Sequence, residues 1–363
     1  MNTTLPSKLS LFAALFLLIG LNCILAQRGP QDSWYLDREV APTTMPGFNK
    51  PTGIEFAPNG NAFVTDHDND RVSVWDENGT FRYAFGKSGS GDGDLKDPYD
   101  VSIGDGEVYV SDFGNHRIQV FDLQGNFLRK WGTQGSGNGQ FHNPYATALD
   151  FNGTSVSEVF VTDYHRHRVQ VFDKNGTFLR SMGSSAGTGT GQLYYPTGIA
   201  IGPDSLLYVA NLHGQRIKVL DKNGTEIRQI TTPGYPHAIA FSGDKFAVAI
   251  AHQHKVYVFD KNGTLETTVS NGSASSETGR FNYPYGLDFN SSGALHVADR
   301  QNQRIQVLDL NGSYQKNFGY FGSQNIQMHE IVPTPERTFI ISDIDGDRIM
   351  EIDENASLVR IIA

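Results

Sequence analysis

The stretch PYDVSIGDGEVYVSDFGNHRIQVFDLQGNFLRKWG, residues 98–132, is the clearest copy of a repeat in this chain. Copies begin at six prolines and, in the last case, at a methionine: Pro51, Pro98, Pro144, Pro196, Pro236, Pro284 and Met328. Successive copies are therefore 47, 46, 52, 40, 48 and 44 residues apart. A period of about 40 to 50 residues with four short strands in each unit is typical of a β-propeller.

Each copy contains four segments with a strand pattern, named a to d here. In the copy quoted above, an apolar start follows Pro98, and alternating runs follow at 108–111, 117–122 and 127–131. Alternation with a period of two, in segments rich in Val, Ile, Tyr and Phe, predicts β-strands. Asn-Gly pairs between strands c and d predict two-residue hairpin turns at Asn78, Asn175, Asn223, Asn262 and Asn311.

A four-stranded sheet has two faces to bury, so neighbouring sheets are expected to stack around an axis until the ring closes. We therefore predict an all-β fold, a single β-propeller of four-stranded antiparallel blades over residues 48–363. Seven complete copies favour seven blades, and six is the alternative. The N-terminal residues 27–47 precede the propeller, and the segment from Trp34 to Val40 could supply a closing outer strand.

The segments YVSD, NHRIQVFD and GNFLRKWG within residues 109–132 resemble the consensus of the NHL repeat family. An Asp followed five residues later by an Arg belongs to the same pattern, as in the pairs Asp112 and Arg117, Asp163 and Arg168, and Asp299 and Arg304. We expect these pairs to form salt bridges within or between blades. The resemblance extends over nearly the whole chain after its first residues and implies a propeller.

Residues 1–26 have the pattern of a secretory signal peptide, with Lys8, an apolar run from Leu9 to Leu21 and a small residue at Ala26. The run is short for a membrane span. The single cysteine, Cys23, lies inside this segment, so we expect the mature protein to have no disulfide. We predict a secreted, extracellular protein that has no membrane partner after cleavage.

Nine Asn-x-Ser/Thr sequences follow the signal and predict N-glycosylation at Asn78, Asn152, Asn175, Asn223, Asn262, Asn271, Asn290, Asn311 and Asn355. Eight of them lie in a-to-b or c-to-d turns, which emerge on one face of an up-and-down propeller. Asn271 alone falls in a d-to-a connection, on the opposite face. Glycans would therefore crowd one face, and we expect function on the other, which we call the open face.

The open face is formed by the b-to-c loops and the d-to-a connections. Its b-to-c loops are rich in Tyr, His and Arg, which suit recognition of one extended partner, an extracellular protein, peptide or glycan. The formal net charge is −10, which argues against a nucleic acid as the partner. The predicted contact residues are His116, Tyr164, His165, Arg166, His213, Gln253 and Arg300.

His237 and His329 directly follow the anchors of strand a and are expected at the mouth of the central channel. Here the chain is similar to peptidyl-α-hydroxyglycine α-amidating lyases, which complete the C-terminal amidation of peptides. That resemblance implies zinc at His237 and His329, but the family pattern needs a third histidine. It also implies a tyrosine beside the metal. The equivalent positions hold Thr52 and Thr197, and the candidate catalytic residues Tyr99, Tyr145 and Tyr285, which aromatic packing would also explain.

Alternating carboxylates occur in two matching b-to-c loops. Calcium prefers oxygen ligands, so these loops are candidate calcium sites. They are Asp66, Asp68 and Asp70 in the first copy, and Asp343, Asp345 and Asp347 in the last. We therefore retain three hypotheses. The first is a secreted, N-glycosylated binding scaffold of the NHL type, the second a zinc-dependent lyase, and the third a calcium-dependent, lactonase-like hydrolase. Whether the protein is an enzyme stays open at this point.

Overall fold

A computed structural model describes residues 47–183, 185–270 and 272–319 in full, and the strands at 26–28, 34–36, 328–333, 338–343, 348–353 and 358–361 by their backbone. The chain forms two compact units. Phe48–Tyr320 is one unit, and residues 1–47 with 321–363 form the other. Within the described residues, no helix is long and apolar enough to cross a membrane.

The larger unit contains six four-stranded antiparallel sheets, each with its strands in chain order. The strands of blade 1 are Pro51–Phe56, Ala62–Asp66, Arg71–Trp75 and Phe81–Phe85. Those of blade 2 are Pro98–Gly104, Glu107–Asp112, Arg117–Asp122 and Phe127–Trp131. Those of blade 3 are Pro144–Asn152, Ser155–Asp163, Arg168–Phe172 and Phe178–Met182.

The other three blades repeat the arrangement. The strands of blade 4 are Pro196–Ile201, Leu207–Asn211, Arg216–Leu220 and Glu226–Thr231. Those of blade 5 are Ala238–Ser242, Lys245–Ile250, Lys255–Asp260 and Leu265–Val269. Those of blade 6 are Pro284–Phe289, Leu295–Asp299, Arg304–Leu308 and Tyr314–Phe318.

Six blades complete the ring, so the prediction of seven was wrong and the alternative of six is the one observed. Blade 6 packs directly on blade 1: the backbone N–H of Phe56 donates to Asp288 Oδ2 (2.9 Å), and the rings of Trp75 and Phe318 lie 5.6 Å apart. Counting copies failed because the six copies from Pro51 to Phe318 already close the ring among themselves. This closure does not require the strand expected from residues 34–40.

The last copy folds in the smaller unit as a four-stranded antiparallel sheet with the same strand order. Its strands are Met328–Pro333, Thr338–Asp343, Arg348–Asp353 and Leu358–Ile361. The short strands Ala26–Arg28 and Trp34–Leu36 pair with each other in a two-stranded sheet. The predicted signal peptide, except for Ala26, lies outside the described residues.

Apolar side chains from facing sheets fill the seams between blades. The ring of Phe85 in blade 1, for example, lies 6.4 Å from that of Phe63 in the same blade and 4.8 Å from that of Phe121 in blade 2. Strand b of every blade in the ring is buried almost along its length, whereas strand d alternates between covered and exposed residues. The exposed strand d is therefore the outer edge, and strand a lines the central channel.

The Asp–Arg pairs of the repeat form the expected salt bridges. Arg117 Nε lies 2.6 Å from Asp112 Oδ2, with equivalent bridges from Arg168 to Asp163 (3.0 Å) and from Arg304 to Asp299 (2.8 Å). The guanidinium of Arg117 also donates to the backbone oxygens of Ser90, Gly91 and Asp94. The pair therefore holds the glycine-rich d-to-a connection that precedes it in the chain.

The c-to-d turns contain three residues in the structure, so the prediction of two-residue turns was wrong. The turn spans residues 77–79, because the N–H of Asp76 donates to Thr80 O and the N–H of Gly79 donates to Asp76 O. Gly79 has φ +85°, which a three-residue turn with a bulge requires at that position. The Asp76 carboxylate accepts the N–H groups of Asn78 and Thr80 and favours this longer turn.

The b-to-c connections are short 3-10 turns: His67–Asn69, Phe113–Asn115, Tyr164–Arg166, Leu212–Gly214, Ala251–Gln253 and Arg300–Asn302. Strands a and b are antiparallel, so the start of a lies beside the end of b, as where Pro98 pairs with Asp112. The b-to-c turns and the starting ends of the innermost strands therefore lie on the same face, as the sequence predicted.

Candidate ligand-binding site

The starts of the innermost strands meet around a small pocket at the centre of the open face. The residue after each anchoring proline contributes to its wall in blades 1, 2, 3, 5 and 6: Thr52, Tyr99, Tyr145, His237 and Tyr285. The cavity volume is about 30 Å³, which is room for two or three waters. Proline is compatible with the first position of a strand, where its missing N–H costs no ladder bond.

The three predicted tyrosines come together at this pocket. The ring of Tyr99 lies 4.6 Å from that of Tyr145 and 6.4 Å from that of Tyr285. Burial raises the pKa of each phenol above its usual value. All three are therefore neutral at physiological pH, where they offer ring faces and hydroxyl groups rather than a base.

His237 is held in one tautomer. Its Nδ1 donates to the backbone oxygen of Tyr235 at 3.0 Å, which leaves Nε2 as an acceptor. Burial lowers the pKa of the imidazole to about 4, so the ring is neutral. The ring packs 4.6 Å from that of Tyr285, and the residue is only 5% exposed. Nε2 has no hydrogen-bond partner among the described residues.

Arg300 brings a positive charge to the same group of rings. Its guanidinium lies 4.9 Å from the ring centroid of Tyr285, a cation–π distance. Among the fully described residues, no carboxylate lies within ion-pair distance of it, and its Nε is buried without a partner. The side chain is therefore positioned by an aromatic ring and leaves its charge available to a ligand on the open face.

An arc of aromatic rings extends outward from the pocket over blades 3 to 5. Tyr164 stacks on Tyr145 at 5.6 Å and contacts Tyr195 at 4.8 Å. From Tyr195 the contacts continue to His213 and then to Tyr235, at 4.7 and 5.7 Å. Tyr235 contacts His252, whose ring in turn lies 5.8 Å from that of His237. We call this set of rings the aromatic arc.

Tyr195 and Tyr235 were not predicted as site residues, although the sequence contained a signal. Both directly precede the anchoring proline of their copy, as Tyr283 does in blade 6, where the other copies have Lys50, Asp97 and Asn143. Because the anchor starts strand a near the axis, the residue before it must also lie close to the channel mouth. Tyrosine at this position in three of six blades therefore predicted an aromatic rim.

The remaining predicted contact residues differ in how free their side chains are. His165 and Arg166 are exposed in the b-to-c turn of blade 3, where His165 Nδ1 bonds Asn143 Oδ1 at 2.7 Å and Arg166 Nε donates to Gly135 O at 3.4 Å. His116 is less exposed and uses Nδ1 on the backbone oxygen of His142 at 2.6 Å. The amide of Gln253 is fully used, since it donates to Pro233 O and accepts from the Tyr257 hydroxyl. His116 and Gln253 therefore serve the turns that carry them.

Three carboxylates that the sequence analysis did not single out lie along the innermost strands. Asp100 also lines the pocket, and Glu55 and Asp288 lie near it on neighbouring strands. Burial raises the pKa of Asp100 and of Asp288 to about 7, and raises that of Glu55 well above its usual range with help from the two aspartates. None of the three forms an ion pair with another fully described residue.

The aspartates of the proposed calcium loop in blade 1 have structural partners. Asp66 accepts from the Asn49 N–H, Asn69 Nδ2 and Arg71 Nε, at 2.6, 2.9 and 2.7 Å. Asp68 pairs with Lys50 and His67, and Asp70 accepts from the Asp97 N–H. Within the described residues, no three His, Cys, Asp or Glu side chains are grouped to hold a metal.

The corresponding residues of the last copy are described by their backbone or not at all. Asp343 ends a strand, while Asp345 and Asp347 lie outside the described residues. His329 lies in the strand Met328–Pro333 of the smaller unit. The zinc pair and the calcium loops therefore stay predictions.

The predicted glycosylation sites are accessible where they are described. Five exposed asparagines occupy c-to-d turns, namely Asn78, Asn175, Asn223, Asn262 and Asn311. Asn152 is exposed in an a-to-b turn, and Asn290 is half-buried in another. Asn271 and Asn355 lie outside the described residues. Glycosylation itself stays a prediction.

Comparisons with known proteins agree with this architecture. The NHL repeat profile matches residues 95–121. No curated protein matches the chain. Solved structures similar to the chain include a streptogramin B lyase, at 14% identity and TM-score 0.56, with 87% of this chain and 93% of that one covered.

Two further structures share the fold. Virginiamycin B lyase from Staphylococcus aureus has 15% identity and TM-score 0.55, with 85% of this chain and 95% of that chain covered. A chain of a nidogen/laminin complex has 19% identity and TM-score 0.55, with 69% and 90% covered. At these identities the likeness concerns the fold alone.

Proposed function

Since this chain is a β-propeller of the NHL type, we propose that it is a secreted, N-glycosylated scaffold that binds an extracellular protein, peptide or glycan through its open face. The observation that carries the proposal is the aromatic arc with its central pocket. Tyrosine and histidine rings offer large contact areas at little cost in conformational entropy, and tyrosine and arginine are enriched at binding hot spots.

The arrangement of free and engaged side chains supports a binding role for this face. His213 and His252 are exposed, Tyr235 is 39% exposed, and Arg300 has no ion-pair partner among the fully described residues. The opposite face has the c-to-d turns, five of which bear exposed glycosylation sequences. Glycans there would leave the open face as the accessible protein surface. One of the similar solved structures is a nidogen/laminin complex, which is compatible with a propeller that contacts another protein.

The test is binding of the protein, secreted from eukaryotic cells, to arrays of extracellular-matrix proteins, peptides and glycans. The open-face variant combines Tyr235→Ser with His213→Ser. Its control is Ile227→Ser, because Ile227 is 53% exposed on the outer strand of blade 4, away from the arc. We expect the open-face variant to bind about tenfold to a hundredfold more weakly, as truncation of hot-spot residues does. Equal binding by both variants would overturn the proposal.

The zinc-dependent lyase has one observation in its favour, the free Nε2 of His237 at the pocket. A zinc site needs at least two further protein ligands, and the other residues that follow the anchoring prolines in the ring are threonines and tyrosines. Elemental analysis of protein purified without chelators distinguishes the two functions. Zinc near one atom per chain, lost in His237→Ala, would favour the lyase over the scaffold.

A further inference from the structure

The central pocket contains two hydrogen-bond acceptors, Asp100 and His237, that no cationic side chain of the fully described residues engages. Asp100 Oδ2 accepts the backbone N–H of Thr147 at 2.9 Å, and the backbone N–H of Val101 also bonds the carboxylate. The carboxylate lines the cavity together with the rings of Tyr99 and Tyr145. A half-buried carboxylate without a cationic partner is expected to attract a donor or a cation.

His237 provides a second acceptor at the same cavity. It is 5% exposed, its Nδ1–H is used on the Tyr235 carbonyl, and the ring lines the pocket wall. Nε2 therefore presents a lone pair without a protein donor. An occupant of the pocket that donates a hydrogen bond to this nitrogen would therefore gain a protein acceptor.

The surroundings of the pocket favour a positive charge. Glu55 and Asp288 lie near Asp100 and form no ion pair with another fully described residue. The rings of Tyr99, Tyr145 and Tyr285 surround the cavity, and tyrosine ring faces attract cations. Arg300 contacts the ring of Tyr285 but does not line the cavity, so its charge does not fill the position beside Asp100.

The size of the cavity and the hydrogen-bond acceptors in its wall determine which cation fits. A cavity of about 30 Å³, with room for two or three waters, suits a compact cationic group better than a bulky quaternary ammonium. The described residues provide no three-ligand group for a metal. A primary ammonium fits, because it is compact and has three donors to share among carboxylate, imidazole and phenol oxygen.

We propose that this pocket binds a primary ammonium group, with Asp100 and Nε2 of His237 accepting two of its hydrogens. We assign the ammonium to a lysine side chain of the partner that binds the open face, and this assignment rests on the proposed function as a binding scaffold. A free alkyl amine has the same chemistry and is the other possible source.

Isothermal titration calorimetry at pH 8 with n-butylammonium as the probe tests the pocket without any partner. We expect saturable binding with one site per chain and an affinity about tenfold to a hundredfold lower in Asp100→Asn, the loss typical of a charged hydrogen bond. Asp92→Asn is the matched control, because it removes one carboxylate from the surface, where the Asp92 side chain is 58% exposed. It should bind like the unaltered protein.

Tetramethylammonium and calcium ions are the cations whose binding is compared with that of butylammonium. Absence of saturable butylammonium binding, equal binding by Asp100→Asn, or tighter binding of either comparison cation would overturn the proposal. Calorimetric unfolding of Asp100→Asn confirms that a lost affinity is not a lost fold.

Titrations with a capped Ala-Lys-Ala peptide and with its acetyl-lysine counterpart identify the source of the ammonium. Tighter binding of the lysine peptide than of butylammonium supports a lysine of a partner. Binding of butylammonium alone overturns that assignment and indicates a free amine. The array experiment on the aromatic arc is independent of these titrations, so failure of either proposal is distinguishable from failure of the other.

Discussion

Replacing Asp100 with asparagine should make the protein more stable at pH 8 and leave its stability nearly unchanged at pH 4. Burial raises the pKa of Asp100 from 3.8 to about 7, and the nearby Asp288 adds to the increase, while hydrogen bonds from the backbone N–H groups of Thr147 and Val101 oppose it. The folded protein therefore holds a proton that the unfolded chain releases between about pH 4 and pH 7. Stability falls as the pH rises through that window and stays lower above it.

The magnitude follows from the change in pKa. Moving a carboxyl pKa from 3.8 to about 7 corresponds to about 4 kcal/mol of free energy of unfolding above pH 7. Asp100 is only half-buried by its solvent accessibility, so we expect water in the channel to screen this to about 1 to 2 kcal/mol. Asparagine keeps an oxygen for the Thr147 N–H and removes the charge. In a protein of this size the gain corresponds to about 1 to 4 °C in Tm.

Differential scanning calorimetry of the unaltered protein, Asp100→Asn and Asp92→Asn at pH 4 and pH 8 measures the effect. Asp92→Asn changes the net charge equally but at an exposed position, so it should shift Tm little at either pH. A Tm of Asp100→Asn at or below that of the unaltered protein at pH 8 would refute the reasoning. An equal gain at both pH values would do so too, because the effect would then not arise from ionisation.

Three further predictions concern the ring, its anchors and its glycans. In Gly286→Ala the new Cβ would lie 2.0 Å from the Thr52 carbonyl oxygen across the closing seam. We expect urea unfolding to show a loss of at least about 1 to 3 kcal/mol in the free energy of unfolding. Gly137→Ala is the control, because its Cβ would meet only the tip of a flexible glutamine side chain. Arg117→Ala leaves Asp112 buried without its partner and should cost about 3 to 5 kcal/mol by the same measurement, against about 0 to 1 for Arg82→Ala at a surface pair. Mass spectrometry of the secreted protein should find glycans on the c-to-d asparagines; bare c-to-d sites with a fully modified Asn271 would contradict the assignment of faces.

The features that recur between copies were predictable from the sequence. Strand type follows from two-residue alternation, and the bridge between Asp112 and Arg117 follows from the five-residue Asp–Arg spacing that blades 1, 2, 3 and 6 share. Both depend on contacts within one blade and its preceding connection, which each copy contains in full. The open face followed similarly, because antiparallel pairing fixes which ends of the strands lie together.

The number of blades depends on how the first and last sheets of the ring meet, and no single copy contains that information. Blade 6 closes on blade 1 through Asp288 with the Phe56 backbone and through Phe318 with Trp75. These residues are ordinary members of the repeat pattern, so nothing in the sequence marks them as the closing pair. The turn at Asn78 was similarly decided by the Asp76 carboxylate, which the Asn-Gly rule does not consider.

The site was predicted in part because its residues adjoin the anchoring prolines. Tyr99, Tyr145, Tyr285 and His237 directly follow an anchor, and all four line the central pocket. The acidic residues were missed because they occupy different offsets: Asp100 lies two residues after its anchor, whereas Glu55 and Asp288 lie four after theirs. Only the convergence of the innermost strands brings these offsets together.

A ring of similar blades produces an asymmetric site when the copies differ at the same position. Asp112, Arg117 and Gln119 have equivalents of the same residue types in blades 3 and 6, where they hold a connection of similar shape. The residue after the anchor is instead threonine, tyrosine or histidine, although all six positions surround one axis and face similar backbone. Packing alone would be satisfied by one residue type repeated six times. The copies therefore differ at a position where a ligand would be distinguished, which favours the pocket and its aromatic arc as the functional part of the molecule.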